Sequence, residues 1–135
     1  MIASLSFDEV HYYDLQRTGI TLPARISSGD ESEELAAKLD TGSTYCIFRR
    51  THGRSIGLDI ETGLRVEIGT PTGSFRVFGH GLTLKVFGIE IFSTVYFAES
   101  EHFDRNVLGR IGFLDRVKLG LVEPEGRLYL SRYHN

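Results

Sequence analysis

Residues Leu39–Phe48 read LDTGSTYCIF: an acid, a threonine, a glycine and a serine set into an otherwise apolar run. An ionised carboxylate is costly to bury without a partner, so the chain must expose Asp40, pair it, or keep it for chemistry. Gly42 lets the backbone turn sharply and approach a second segment closely, which presents Asp40 at a loop apex. Thr41 and Ser43 add hydroxyls for the loop and the carboxylate. The same four residues also suit an Asx-type turn, in which Asp40 caps backbone N–H groups. A D-T-G-[ST] string arises by chance in only about one in a few hundred chains of this length, so the flanking sequence has to decide.

Working outward, periodicity two dominates from Leu64 onward. LRVEI sets Leu64, Val66 and Ile68 on one face, and FRVF resumes the alternation after GTPTGS, which predicts a hairpin with Gly69, Thr70, Pro71, Thr72 and Gly73 at its tip. LTLKV, a turn at Phe87 and Gly88, and IEIFSTVYF predict a second hairpin. IGFLDRV is the best helix candidate of the C-terminal third, weakened by Gly112, and KLGLV and RLYLS flank the turn EPEG as a last strand pair. Upstream, ITLPARIS reads as a strand with Pro23 near an edge. SGDESEELAAKLD carries high helix propensity and a capping-box pattern from Ser28 to Glu31, while its acids Asp30, Glu31, Glu33 and Glu34 suit a solvated turn.

Composition excludes several functions. The 135 residues carry a formal charge of −3, which opposes a nucleic-acid binder driven by phosphate neutralisation. No apolar run is long enough to span a membrane, and MIASLSFDEV lacks the basic and apolar regions of a signal peptide. The single cysteine, Cys46, cannot form an internal disulfide and reads as a small core residue. His11, His52, His80, His102 and His134 show no metal-ligand spacing, so neither metal nor cofactor is expected. Ser43 lacks the Gly-x-Ser-x-Gly of a nucleophile elbow, and GTPTG lacks the lysine of a phosphate loop. These features point to a one-domain cytoplasmic protein.

Taken in order, the apolar lead into LDTGST, the glycine-bearing hairpin VEIGTPTGSFRV, the strands LTLKVFGIEIFSTVYF and the segment NVLGRIGFLDRVKLGL resemble a retropepsin. This is the single-domain aspartic protease family of retroviruses and their cellular and bacterial relatives. The resemblance covers about residues 20–122, and GRIGFLDR is especially similar to the small bacterial members. It implies a mostly β fold: a closed antiparallel barrel with a flap hairpin and one short C-terminal helix. In that frame Leu35 to Leu39 is the strand feeding the catalytic loop, with its helix propensity overruled by sheet pairing.

The resemblance further implies a homodimer, because aspartic proteolysis needs two carboxylates and the chain has one D-T-G. Asp40 is then the catalytic residue. Thr41 braces the two loops, Gly42 lets them touch, and Ser43 can donate to the carboxylate. Thr44, Ile68, Gly69, Thr70, Pro71, Thr72 and Gly73 bind or cover an extended peptide, while Val107, Leu108, Gly109 and Arg110 form the second motif. Many retroviral relatives have an Asp where this chain has Thr44, which leaves Arg110 without its usual partner. Residues 1–19 have no counterpart and are expected as an additional strand, a dimer arm or a segment in the groove, with residues 20–135 as the single retropepsin-like domain. The rival expectation is a dimer of the same fold that binds or scaffolds peptides without cleaving them.

Overall fold

The computed structural model describes residues 1–133, so His134 lies outside the described residues. Among the described residues ten strands dominate: β1 (Glu9–Tyr12), β2 (Ile20–Ser28), β3 (Glu31–Leu39), β4 (Ile47–Phe48), β5 (Leu64–Thr70), β6 (Gly73–Val86), β7 (Ile89–Ala98), β8 (Val107–Leu108), β9 (Val117–Val122) and β10 (Arg127–Arg132). One α-helix, α1 (Arg50–Ser55), and three short 3-10 turns complete it.

The strands form a seven-stranded sheet of order β2-β3-β8-β4-β7-β6-β5 and a three-stranded sheet of order β1-β10-β9. β2 pairs with β3 along its whole length and also, through Ala24 to Ser27, with β6. The pairing is mixed and not purely antiparallel, because β3 with β8 and β4 with β7 run parallel. Both parallel contacts flank the segment 40–46.

The helix-prone stretch 31–39 is a strand over its full length, acids included. Helix propensities separate ordinary residues by a few tenths of a kcal/mol, whereas each cross-strand pair contributes roughly 0.2–1 kcal/mol. Nine registered pairs with β2 therefore prevail. The capping-box signal belongs instead to a two-residue hairpin turn, with Gly29 at φ 58° as its first residue.

The expected helix at IGFLDRV shrinks to a 3-10 turn over Leu114–Arg116. Gly112 sits at φ 106°, outside any right-handed helix. A side chain there would meet the Thr94 carbonyl at 2.9 Å, and Ser93 Oγ donates to the Gly112 carbonyl at 2.6 Å. The one α-helix instead follows β4 at RTHGRS, where no side chain caps its start. Its Gly53 is buried, and a Cβ on it would lie 2.9 Å from the Phe97 ring, so close packing on β7 dictates this helix.

The main core joins both sheets. Phe48, Phe97, Phe113, Leu22, Ile26 and Leu128 are fully buried within it. β1 pairs antiparallel with β10, so a stretch of segment 1–19 is an additional strand. Phe7 packs 5.7 Å from the Tyr129 ring, and a side chain on Gly120 would meet it. Among the described residues no helix is long and apolar enough to cross a membrane.

Candidate active site

β3 delivers Asp40 directly from its last registered pair, Leu39 with Leu108 of β8. The Asp40 amide donates to the Leu108 carbonyl at 3.0 Å, and the chain then turns so that the Ser43 amide donates back to the Asp40 carbonyl at 3.2 Å. Inside that turn the Gly42 N–H donates to Asp40 Oδ1 at 2.8 Å. The Asx-type turn is thus present, and Asp40 is half-buried at its apex. A carboxylate that accepts a backbone N–H at one oxygen keeps its second oxygen available.

Ser43 does something different from its expected role. Its hydroxyl donates to the Tyr45 carbonyl at 2.7 Å, so its one proton supports the loop and not the Asp40 carboxylate. Thr41 and Gly42 are exposed beside it, as is Thr44.

The second motif underlies the first. The Arg110 amide donates to the Ser43 carbonyl at 2.9 Å and the Ile111 amide to the Thr44 carbonyl at 2.8 Å. Val107, Leu108 and Gly109 are buried. Gly109 lies so close that a Cβ would overlap the Tyr45 carbonyl and stand 2.8 Å from that of Ser43. Its N–H donates to Cys46 Sγ at 3.3 Å, and burial pushes the Cys46 thiol up to about 11. Arg110 acts through its backbone: its side chain is exposed and, among the described residues, forms no ion pair.

Asp40 opens into a cleft of about 740 Å³. Gly42, Ser43 and Thr44 line it on the loop side, and Ile68, Gly69 and Thr70 line it from the β5–β6 hairpin. Pro71 and Thr72 form the two-residue tip, with Thr70 paired to Gly73 and Thr70 Oγ1 donating to the Gly73 carbonyl at 3.1 Å. The expected flap residues therefore divide into a wall and an exposed tip.

The remaining wall was not legible in the sequence. His102, Phe103, Asp104 and Arg105 lie in an irregular segment that only the pairing of β8 brings to the site. Below them a small apolar cluster stands apart from the main core, with Ile47, Val77 and Tyr96 buried and Tyr45, Ile68, Phe75 and Phe103 packed against them. Phe75 and Phe103 stack at 5.4 Å, and Tyr45 meets Tyr96 at 4.8 Å. Burial, and next Tyr45, raise the Tyr96 phenol above its ordinary range. Such a floor accepts apolar side chains, while the acid at its edge can handle a proton. Among the described residues no three of His, Cys, Asp and Glu gather as metal ligands.

A solved structure titled EIAV protease complexed with the inhibitor HBY-793 matches with a TM-score of 0.55, covering 73% of this chain and 86% of that one at 23% identity. The fold is retropepsin-like. No family model and no curated protein matches the chain. The likeness at this identity is one of backbone architecture, and the chemistry rests on the residues described above.

Proposed function

We propose that this protein is an aspartic endopeptidase, active as a two-fold homodimer in which each protomer contributes Asp40. The observation that carries the reading is Asp40 at the apex of a glycine loop, opening into an apolar-floored cleft under a hairpin of a retropepsin-like fold. Two like charges a few ångströms apart resist joint ionisation, so the pair shares one proton. The charged member takes a proton from a water. The protonated member donates to the scissile carbonyl as the water oxygen bonds to its carbon. The proton taken from the water then passes to the leaving nitrogen, and as the C–N bond breaks a hydroxyl of the tetrahedral diol returns its proton to the other carboxylate, restoring the one-proton pair.

Thr41 would brace the loops across the dimer axis, and Gly42 would let them touch. The hairpin ending at Pro71 and Thr72 would close over an extended peptide and exclude water. The double pairing of β2 suits the closed barrel of this reading. Residues 20–135 form its catalytic domain, to which segment 1–19 adds strand β1, and a reducing cytoplasm suits the buried thiol of Cys46.

Thr44 and the unpaired Arg110 side chain favour a second reading, in which the same dimer holds peptides without cutting them. One experiment separates the two: a diverse peptide library incubated with wild type and Asp40→Asn over a pH series. Cleavage that the substitution abolishes supports the protease, whereas binding without cleavage in both proteins supports the second reading.

A further inference from the structure

Asn106 stands between the two legs of the Asp40 loop and binds both. Its carbonyl accepts the Lys38 N–H of β3 at 2.9 Å, two residues before Asp40. Its side-chain Nδ2 donates to the Ala36 carbonyl of the same strand at 3.1 Å. On the other leg, Oδ1 accepts the Arg49 N–H at the start of α1 at 2.9 Å. Asn106 also ends the wall segment His102–Arg105 and precedes β8. One half-buried residue thus ties together the strand entering the loop, the helix following it and the side of the cleft.

These contacts fix the orientation of the amide. A backbone N–H can only donate and a backbone carbonyl can only accept, so Oδ1 must face Arg49 and Nδ2 must face Ala36. The second Nδ2 hydrogen points to His52 Nε2 at 3.2 Å. That nitrogen must accept, which leaves the ring proton on Nδ1, where it donates to Glu33 Oε2 at 2.6 Å. Protonating Nε2 would set two donors face to face. Turning the amide would relieve that at the expense of both backbone bonds.

We propose that Asn106 is a positioning residue that clamps both legs of the Asp40 loop, and that the clamp requires neutral His52 with its proton on Nδ1. Of the charged groups around α1, Glu33 of β3 pairs with His52, Glu61 with Arg50 and Glu101 with Arg54, and β3 also carries Glu31, Glu34 and Lys38. Glu33 alone of these reaches the ring. It orients the imidazole, and acidification acts against the Asn106 contact. The consequence for catalysis rests on the proposed protease activity, while the clamp itself does not.

The test is nitrogen-15 NMR of the histidine rings and backbone amides in the full chain. At neutral pH His52 should show the Nδ1–H tautomer, and on acidification its ring signals should move together with the Arg49 and Lys38 amides. The Nε2–H tautomer, or ring protonation that leaves both amides unmoved, overturns the proposal. His52→Gln keeps an acceptor within reach of Asn106 and should retain slow amide exchange at Arg49 and Lys38, whereas His52→Lys offers only donors and should speed it about tenfold. Equal exchange in the two variants also overturns it. In a cleavage assay Asn106→Ala should lower kcat about tenfold with a smaller change in KM, and a rise in KM alone refutes the positioning role. If wild type cleaves nothing, the protease reading fails, and the tautomer and exchange measurements still decide the clamp.

Discussion

Gly109 sets its bare α-carbon against the Tyr45 carbonyl, leaving no room for a methyl group. This contact lets the second motif lie flush under the Asp40 loop and form the Arg110-to-Ser43 and Ile111-to-Thr44 hydrogen bonds. Gly109→Ala must push these backbones away from one another, a shift that side-chain rotation cannot relieve. We expect a loss of about 3 kcal/mol in urea unfolding, because overpacking against a fixed backbone lies at the upper end of such costs. A change under about 0.5 kcal/mol would show that the two loops are not in contact.

Asp40→Asn keeps an oxygen to accept the Gly42 N–H, so the turn and the fold should survive. Cleavage should vanish at every pH, since an amide can neither hold nor give the shared proton. Wild-type specific activity should fall on dilution through the dimer dissociation constant, and activity independent of concentration would refute a site made from two protomers.

The thiol of Cys46 offers a stability test independent of cleavage. Burial raises it from 9.0 to about 11, opposed by the Gly109 hydrogen bond and aided by Asp115. Below pH 9 both folded and unfolded chains keep the proton, and the contribution to stability is complete. Between about 9 and 11 the unfolded chain ionises first, so stability falls as pH rises. Cys46→Ala should flatten that region of the stability curve measured by denaturant unfolding. A wild-type curve of the same shape as the variant's would contradict the burial.

Phe103 stacks on Phe75 and completes the apolar floor of the cleft. Phe103→Ala should raise KM for substrates with large apolar side chains by roughly tenfold, the size expected for a lost aromatic contact in a pocket, with less effect on kcat. Steady-state kinetics on a pair of peptides, one bulky and one small at the cleavage site, would show it. Equal changes for both peptides would remove Phe103 from specificity.

What could be read from the sequence was local or periodic. The Asp40 turn depends on four adjacent residues, and the β5–β6 and β6–β7 hairpins follow from alternation and short turns. The strand character of Leu35 to Leu39 came from resemblance and not from its residues, whose propensity points the other way. Helix α1 carries no cap and has a glycine within it, because it is defined by what it packs against. The hydroxyl of Ser43 was free to serve two acceptors until the fold brought the Tyr45 carbonyl within 2.7 Å. Likewise His102–Arg105 carries no signal of its own, since a distant strand pairing places it in the cleft.

That distance has a consequence for biogenesis. The Asp40 turn is held from below by Leu108, and Asn106 reaches Ala36 across 70 positions of chain. Closing so long an excursion is entropically uphill until β6 and β7 have formed, so the acid acquires its final setting late. A nascent polypeptide still lacking Val107 therefore carries Asp40 without the β8 pairing that holds its turn.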